Sequence, residues 1–477
     1  MTATPVSSTR DSIGWRYFFQ KRLVAGVDPA SIVVFRIAFG LLIVWEAWRY
    51  FQNGWIEQLY LRPRYLFTYP GFDWIAPWPG IGLHLHFFGM GLLGACIAAG
   101  LWYRGACILL SLSLWYVVLL DKAAYLNHLY LAALLAGLLA VVPANVAWSL
   151  DASRDETLRG RGLPRWCLSL LRFQIALPYL FGGIAKLNPD WLAGQPMGLW
   201  MSRMAERAPG IPFLAEPWAG LATSYLALAF DLGVVPALLW RPTRRYAFAA
   251  AIVFHLLNAV MFRIGIFPWM MIAGTTLFLP PDWPRRLAPR IWPEASPGEP
   301  AEPSPVRRRL IAGTLIVWAA IQLALPMRHL LFPGRVDWNE QGSRFAWRMM
   351  VRDKAGVLQF IVVDPATGRS HAVDPRAILT PTQIERMGQY PDMLQQFAEF
   401  LAAQAPESTE PPPEVRVIGL VSFNGRPPQP LVEPGVNLAE PPEGGAWIVP
   451  LTEPLPETPW LVPLSEWASQ NILESDR

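Results

Sequence analysis

The sequence predicts an all-α polytopic membrane bundle of about nine transmembrane helices, followed by a small β-rich extracytoplasmic domain. Three observations carry this. Of the 477 residues, 53% are hydrophobic and only 16% charged, against roughly 25% charged in ordinary soluble domains. Apolar runs of bilayer-spanning length recur through the first two thirds of the chain. Charge is split as well: residues 1–334 carry a net +12 and residues 335–477 a net −8. Basic cytoplasmic loops ahead of an acidic soluble domain give that pattern, and nucleic-acid binding, which needs basic clusters on the soluble part, is excluded.

Taken in order, residues 1–29 form a cytoplasmic segment with Arg10, Arg16, Lys21 and Arg22 and without the short apolar core and cleavage site of a signal peptide. The transmembrane domain covers 30–334, with apolar stretches at 30–50, 81–101, 105–120, 124–143, 166–186, 217–240, 246–262, 264–280 and 310–326. Threaded from an inside N-terminus, the loops holding Arg154 to Arg165, Arg241 to Arg245 and Arg285 to Arg309 all stay inside. An odd number of spans places 335–477 outside; a single broken helix around Arg263 would place it inside. Within that tail, 344–364 reads as a two-stranded hairpin turning near Lys354, Ala355 and Gly356, 381–404 as a helix opened by Thr380-Pro381, and 414–423 as a strand. Pro/Glu-rich pieces at 292–305 and 405–413 are linkers. The localisation that follows is integral and multi-pass, with the C-terminal domain extracytoplasmic.

Residue choice then narrows the chemistry. The chain has four lysines, Lys21, Lys122, Lys186 and Lys354, against 36 arginines, and Lys186 closes the fifth span in PYLFGGIAKLNPDW. Arginine stays protonated, whereas a partly buried lysine amine can lose its proton and act as a general base. By position alone, a snorkelling lysine at a helix end is the plainer reading. The fourth span opens with DKAAYLNHLYL, which sets Asp121, Lys122, Asn127 and His128 in its outer turns, where polar groups either bond between helices or line a cavity. His255 and Asn258 share one helical face of the seventh span. Arg36 and Arg172 are intramembrane charges that can pair with Glu46 or Asp231 or snorkel inward, and His84 and His86 read as interfacial rather than metal ligands. His128, Lys186, His255 and the string VDWNEQGSRFAWRMM converge on one side. Trp338, Phe345 and Trp347 can roof a pocket there, with Met349 and Met350 as an adaptable wall; an aromatic belt over a strand core is the plainer reading. The three cysteines lie in or beside apolar runs, and no metal set, nucleophile triad or nicotinamide fingerprint is visible.

The strings DKAAYLNHLYL, LRFQIALPYLFGGIAKLNPDW, FHLLNAVMFRIGIF, LPMRHLLFPGRVDWNEQGSRFAWRMM, YPDMLQQFAEFLA and VSFNGRPPQPLV, in that order, resemble the vitamin K-dependent γ-carboxylase family, whose membrane part is also called the horizontally transferred transmembrane domain (HTTM). The resemblance covers most of the chain, suits a shortened, bacterial-type member and implies a bacterial inner membrane. It implies deprotonation of a vitamin K hydroquinone (phylloquinol or menaquinol type), capture of O2, formation of the quinone 2,3-epoxide, and use of the base so generated to carboxylate a glutamate with CO2, without a metal. It implies Lys186 as catalytic base and His128 as stabiliser of an oxyanion. Asn127, Tyr179 and His255 match pocket residues, and Arg172, Gln174, Trp338, Trp347, Met349 and Met350 fall in matching stretches of the cofactor site. The implied partners are the lipid bilayer, a lipophilic quinone and a glutamate-containing protein or peptide.

Two departures stand out. Animal members continue much further beyond the membrane, where they bind the propeptide of their substrates, and they carry a cysteine pair outside the membrane; here about 140 residues follow the last span. Propeptide recognition of that kind is therefore not expected. The rival readings are a quinol epoxidase without carboxylase activity and a non-catalytic membrane binding or immunity protein on the same bundle, which would tolerate loss of Lys186 and His128.

Overall fold

A computed structural model describes residues 24–208, 210–262, 264–290, 300, 303–364, 366–406 and 411–462. The basic N-terminal segment up to residue 23, Arg263, most of the 292–305 linker, part of the 405–413 linker and the end of the chain lie outside the described residues. The helices that position the site are α1 (Ala30–Gln52), α2 (Gly82–Ala99), α3 (Tyr103–Leu120), α4 (Asn127–Val141), α5 (Arg165–Ala185), α6 (Met197–Arg207), α7 (Pro217–Leu239), α8 (Arg244–Met261), α9 (Phe267–Thr275) and α10 (Pro305–Met327).

Each of the nine apolar stretches contains a helix, but fewer have the dimensions of a span. Among the described residues six helices are long and apolar enough to cross a membrane: α1, α2, α3, α5, α7, and α10 continued to Leu331. The chain is thus an integral membrane protein; among the described residues six of the nine stretches form helices of that length and composition, and the other three are shorter or less apolar. Helices α4 and α9 are short: α4 begins only at Asn127, after a 3₁₀ turn, and α9 passes into a 3₁₀ turn at Thr276–Phe278. Residues 122–124 form a 3₁₀ turn, and the Asp121 carboxylate accepts from the Ala123 amide (2.9 Å). Helices α8 and α9 are separate elements, α8 ending at Met261 and α9 beginning at Phe267; Arg263, around which a single broken helix would bend, lies outside the described residues.

Small residues set the closest approaches. A Cβ on Gly40 of α1 would stand 2.5 Å from the Gly94 carbonyl oxygen of α2. One end of the bundle gathers basic loops: short strands β1 (Gly26–Val27) and β2 (Leu163–Pro164) pair, the Arg165 amide donates to the Ala25 carbonyl, and Arg285 pairs with Asp28 at 2.7 Å.

The tail sits at the opposite end. It holds an antiparallel sheet ordered β4-β3-β5-β6, with β3 Lys354–Val363, β4 Ser370–Val373, β5 Glu414–Phe423 and β6 Gln429–Pro430. Two helices accompany it, α11 (Pro381–Met387) and α12 (Pro391–Ala402). Strand β5 buries every second residue, the period-two pattern of a sheet with one covered face. The tail is therefore mixed α/β around a small sheet. The hairpin expected over 344–364 does not form: Lys354 opens β3 rather than sitting at a turn, and β3 pairs with the later strands β4 and β5. Phe345, Trp347 and Met350 all have positive φ, which no strand accommodates. Their backbone is bent to place Phe345 against Tyr125 and Tyr130, and Trp347 in a stack on Tyr130 with ring centroids 4.8 Å apart. The helix expected over 381–404 is split between α11 and α12 by Gly388 and Pro391.

The hydrophobic core of the tail is completed by the membrane part. Phe67 and Ala123 are buried within it, and Tyr65 donates its hydroxyl to the Gln396 carbonyl across 331 residues of chain. The Gln383 amide donates to Asp121 (2.9 Å), and Lys122 pairs with Asp392 (3.2 Å). Asp121 and Lys122, read from the sequence as belonging to a span, serve this joint instead.

Candidate functional site

Lys186 caps the C-terminal end of α5. Two consecutive glycines just before it let α7 approach: a Cβ on Gly183 would lie 2.5 Å from Leu232 Cδ2, and one on Gly182 would lie 3.5 Å from Asp231 Oδ2. That approach brings Asp231 to 2.6 Å from the Lys186 ammonium, which also donates to the Gly182 carbonyl at 3.3 Å and stands 5.2 Å from the Trp191 ring. Both side chains are only 8% exposed. A carboxylate in an apolar helix demands such a cation.

His128 lies in the first turn of α4. Its Nε2 is 3.1 Å from Glu46 Oε1, and Glu46 also accepts from Arg49 at 2.6 Å. Gly265, at φ +64°, covers this group so closely that a Cβ would meet His128 Cε1 at 2.9 Å and Arg49 Nη1 at 3.0 Å. Glu46 thus orients the imidazole as a carboxylate partner does in acid–base sites. We expect Glu46→Gln to lower the rate of any reaction that uses His128 by about a hundredfold, the low end of what a positioned acid–base group contributes. Unchanged turnover in that variant would remove His128 from the chemistry.

A third group joins α5, α8 and α9. Tyr179 Oη is 2.6 Å from His255 Nε2 and 3.2 Å from Thr275 Oγ1, and the Thr275 hydroxyl donates to the Met271 carbonyl at 2.6 Å. Each hydroxyl has one proton. All three contacts are satisfied when Tyr179 donates to Thr275 and His255 Nε2–H donates to Tyr179. His255 Nδ1 is then an acceptor, buried and without a partner among the described residues.

These groups line a single cavity of about 1320 Å³. Lys186, Asp231, His128, Glu46, Asn127, Tyr179 and His255 contribute its polar surface, and Met349 and Met350 reach it from the tail. Phe230, Phe254, Leu257, Met261 and Met271 supply apolar wall. Other residues singled out from the sequence lie elsewhere. Arg172 donates to the Leu277 and Leu279 carbonyls (2.7 and 3.2 Å), and Gln174 reaches Gln322 at 3.4 Å; neither lines the cavity. Trp338 is buried in the tail core, donating to the Val449 carbonyl at 2.7 Å, and Trp347 lies behind the wall on Tyr130. Arg36 caps the carbonyls of Ala98, Ala144, Ala147 and Trp148. Neither Arg36 nor Arg172 therefore pairs with Glu46 or Asp231, whose partners are the residues of the site. His84 and His86 meet Glu57 and Ser113, and no cluster of metal-ligating residues occurs among the described residues.

The tail closes the site through charge. Asp190, four residues past Lys186, accepts from Arg426 at 2.7 and 3.0 Å, from Asn424 at 2.9 Å and from Arg335 at 3.2 Å. Burial alone would raise this carboxyl, but the hydrogen bonds from Arg426 and Asn424 and the charge of Arg335 reverse that and hold it below the usual range. Lys354 also borders the cavity, donating to the Trp338 and Gln389 carbonyls. Burial pushes its amine down to about 7 against the opposing charge of Glu340.

Residues 25–283 match the family profile described as the HTTM domain, and residues 307–454 match that described as the vitamin K-dependent gamma-carboxylase lumenal domain. No solved structure matches the chain.

Proposed function

Because the chain belongs to the vitamin K-dependent γ-carboxylase family, we propose that it couples the oxygenation of a vitamin K hydroquinone to its 2,3-epoxide with the carboxylation of protein-bound glutamate, consuming O2 and CO2. The observation that carries this reading is the convergence of two carboxylate-backed groups, Lys186 on Asp231 and His128 on Glu46, on one largely apolar cavity. The residues fit a hydroquinone. The cavity exceeds the roughly 300–1,000 Å³ of an ordinary small-molecule pocket, its apolar wall suits a lipophilic ligand, and His255 adds a polar group to that wall for a ring hydroxyl. Asn127 and Tyr179 would complete the polar end.

When bound, the hydroquinone supplies the reducing electrons for dioxygen and the strong base that an unactivated γ-carbon requires. Lys186 is the group to take the hydroxyl proton, and it can do so only as a neutral amine. Asp231, at 2.6 Å, is the nearest acceptor for the proton that Lys186 must first release. His128, steadied by Glu46, donates to an oxyanion as it forms. Met349 and Met350 line the side where the glutamate would enter and help keep water from the base.

The test is an assay on detergent-purified protein with hydroquinone, O2, bicarbonate and a glutamate peptide, following epoxide and peptide-bound CO2 separately. Both products are expected. Epoxide alone would replace this reading with a quinol epoxidase, and hydroquinone binding with neither product would replace it with a binding protein.

We further propose that the tail faces the extracytoplasmic side, since the basic loops gather at the other end of the bundle. Thr367 lies exposed in the turn between β3 and β4, and the three native cysteines are buried or half-buried. A cysteine at Thr367 is expected to react with an impermeant maleimide in intact cells. Labelling only after permeabilisation would invert the orientation.

A further inference from the structure

The tail-side wall of the cavity is rich in arginine. Arg203 is neutralised by Asp353 (2.5 Å), Arg344 by Asp392 (2.8 Å) and Arg352 by Glu340. Two guanidiniums on the same wall, Arg348 and Arg386, form no hydrogen bond or ion pair among the described residues. Among the described residues Glu385 is the one carboxylate of that wall without such a pairing, and Asp337 and Glu340 act on Arg348 only as nearby charges. The backbone leading into Arg348 passes the reacting end. The carbonyl oxygen of the preceding residue, Trp347, lies 3.9 Å from the point where a Cβ on Gly182 would sit, the same distance as Lys186 Nζ from that point. Arg386 approaches from α11, further out on the tail.

Guanidiniums at a cavity wall are matched by carboxylates in fork geometry. We propose that this mouth selects an acidic polypeptide segment, with Arg348 and Arg386 holding carboxylates that flank the glutamate to be modified. The inference rests on the carboxylase reading and names its substrate class: a glutamate among acidic neighbours, recognised by their charge. Recognition of this kind acts next to the reacting end.

Two short peptides test it, each with one glutamate, flanked by aspartates in one and by glutamines in the other. Aspartate carries the charge while leaving a single glutamate to count. The full-length protein is expected to give a KM about tenfold lower for the aspartate-flanked peptide, with a preference that shrinks as salt rises. Arg348→Gln and Arg386→Gln are each expected to reduce the preference severalfold. Arg386→Glu is expected to transfer it to a lysine-flanked peptide, an outcome that misfolding does not produce. Equal KM ratios in the parent protein and all three variants would overturn the proposal. So would a change confined to the dependence of activity on anionic lipid in nanodiscs, which would assign the arginines to headgroups. Anisotropy of a labelled aspartate-flanked peptide, measured without hydroquinone, separates this inference from the one beneath it. Charge-selective binding without carboxylation leaves the acidic site standing and removes the carboxylase, whereas carboxylation without charge selectivity does the reverse.

Discussion

Lys186→Ala is expected to abolish hydroquinone epoxidation, by at least the 10²–10⁴-fold that a positioned acid–base group supplies. The alanine variant has a second effect, because it leaves Asp231 buried without its cation, and an uncompensated buried charge destabilises. Lys186→Arg is the sharper test. Arginine keeps the positive charge opposite Asp231, so the ion pair and the α5–α7 approach survive, but its guanidinium does not become a neutral base. Loss of epoxide in the arginine variant, with an unchanged thermal midpoint, isolates proton abstraction from folding. Normal epoxidation by either variant would remove Lys186 as the base.

The largest stability effect is expected at Asp190. It receives hydrogen bonds from Arg335, Asn424 and Arg426, so Asp190→Ala leaves the buried Arg426 charge without its carboxylate, with only the Glu453 and Phe423 carbonyls as acceptors. Breaking one partner of a buried pair costs about 3–5 kcal/mol, read here as a lower denaturant midpoint. A midpoint shifted by less than about 1 kcal/mol would show that the tail is held elsewhere. The pH dependence has a definite sign. A carboxyl held below its ordinary range in the folded state contributes stability that is complete above the unfolded pKa and is lost as pH falls through the lower, folded value. Acid should therefore loosen the tail, and the alanine variant should lack that component.

The helical bundle was legible because the apolar runs are long and the arginines cluster between them. Helix lengths were less legible, since α4 gives up its first turns to contacts made by residues some 260 positions later, such as Asp121 with Gln383. The site was legible in its cations. Lys186 drew notice as a rare lysine among arginines, and His128 as a polar group inside an apolar run. Their carboxylates were assigned to the wrong cations, although an acid inside a span is itself a demand for a nearby cation. Arg36 misled because a guanidinium can be satisfied by carbonyls alone. The 344–364 segment carries alternating aromatic residues that imitate a strand, but their alternation serves Tyr125 and Tyr130 of the membrane part, and local pattern does not encode that partner.

Phe67 and Ala123 lie in the hydrophobic core of the tail, and the tail is made after both. The chain must therefore synthesise and insert every membrane helix before the partner surface for Phe397 and Leu394 exists in full. Contacts that span more than three hundred residues form slowly, because a long loop must close before any of them stabilises the chain. The tail should consequently mature after the membrane helices have been inserted, as a late step of biogenesis, and residues 335–477 produced alone should expose an apolar face and aggregate.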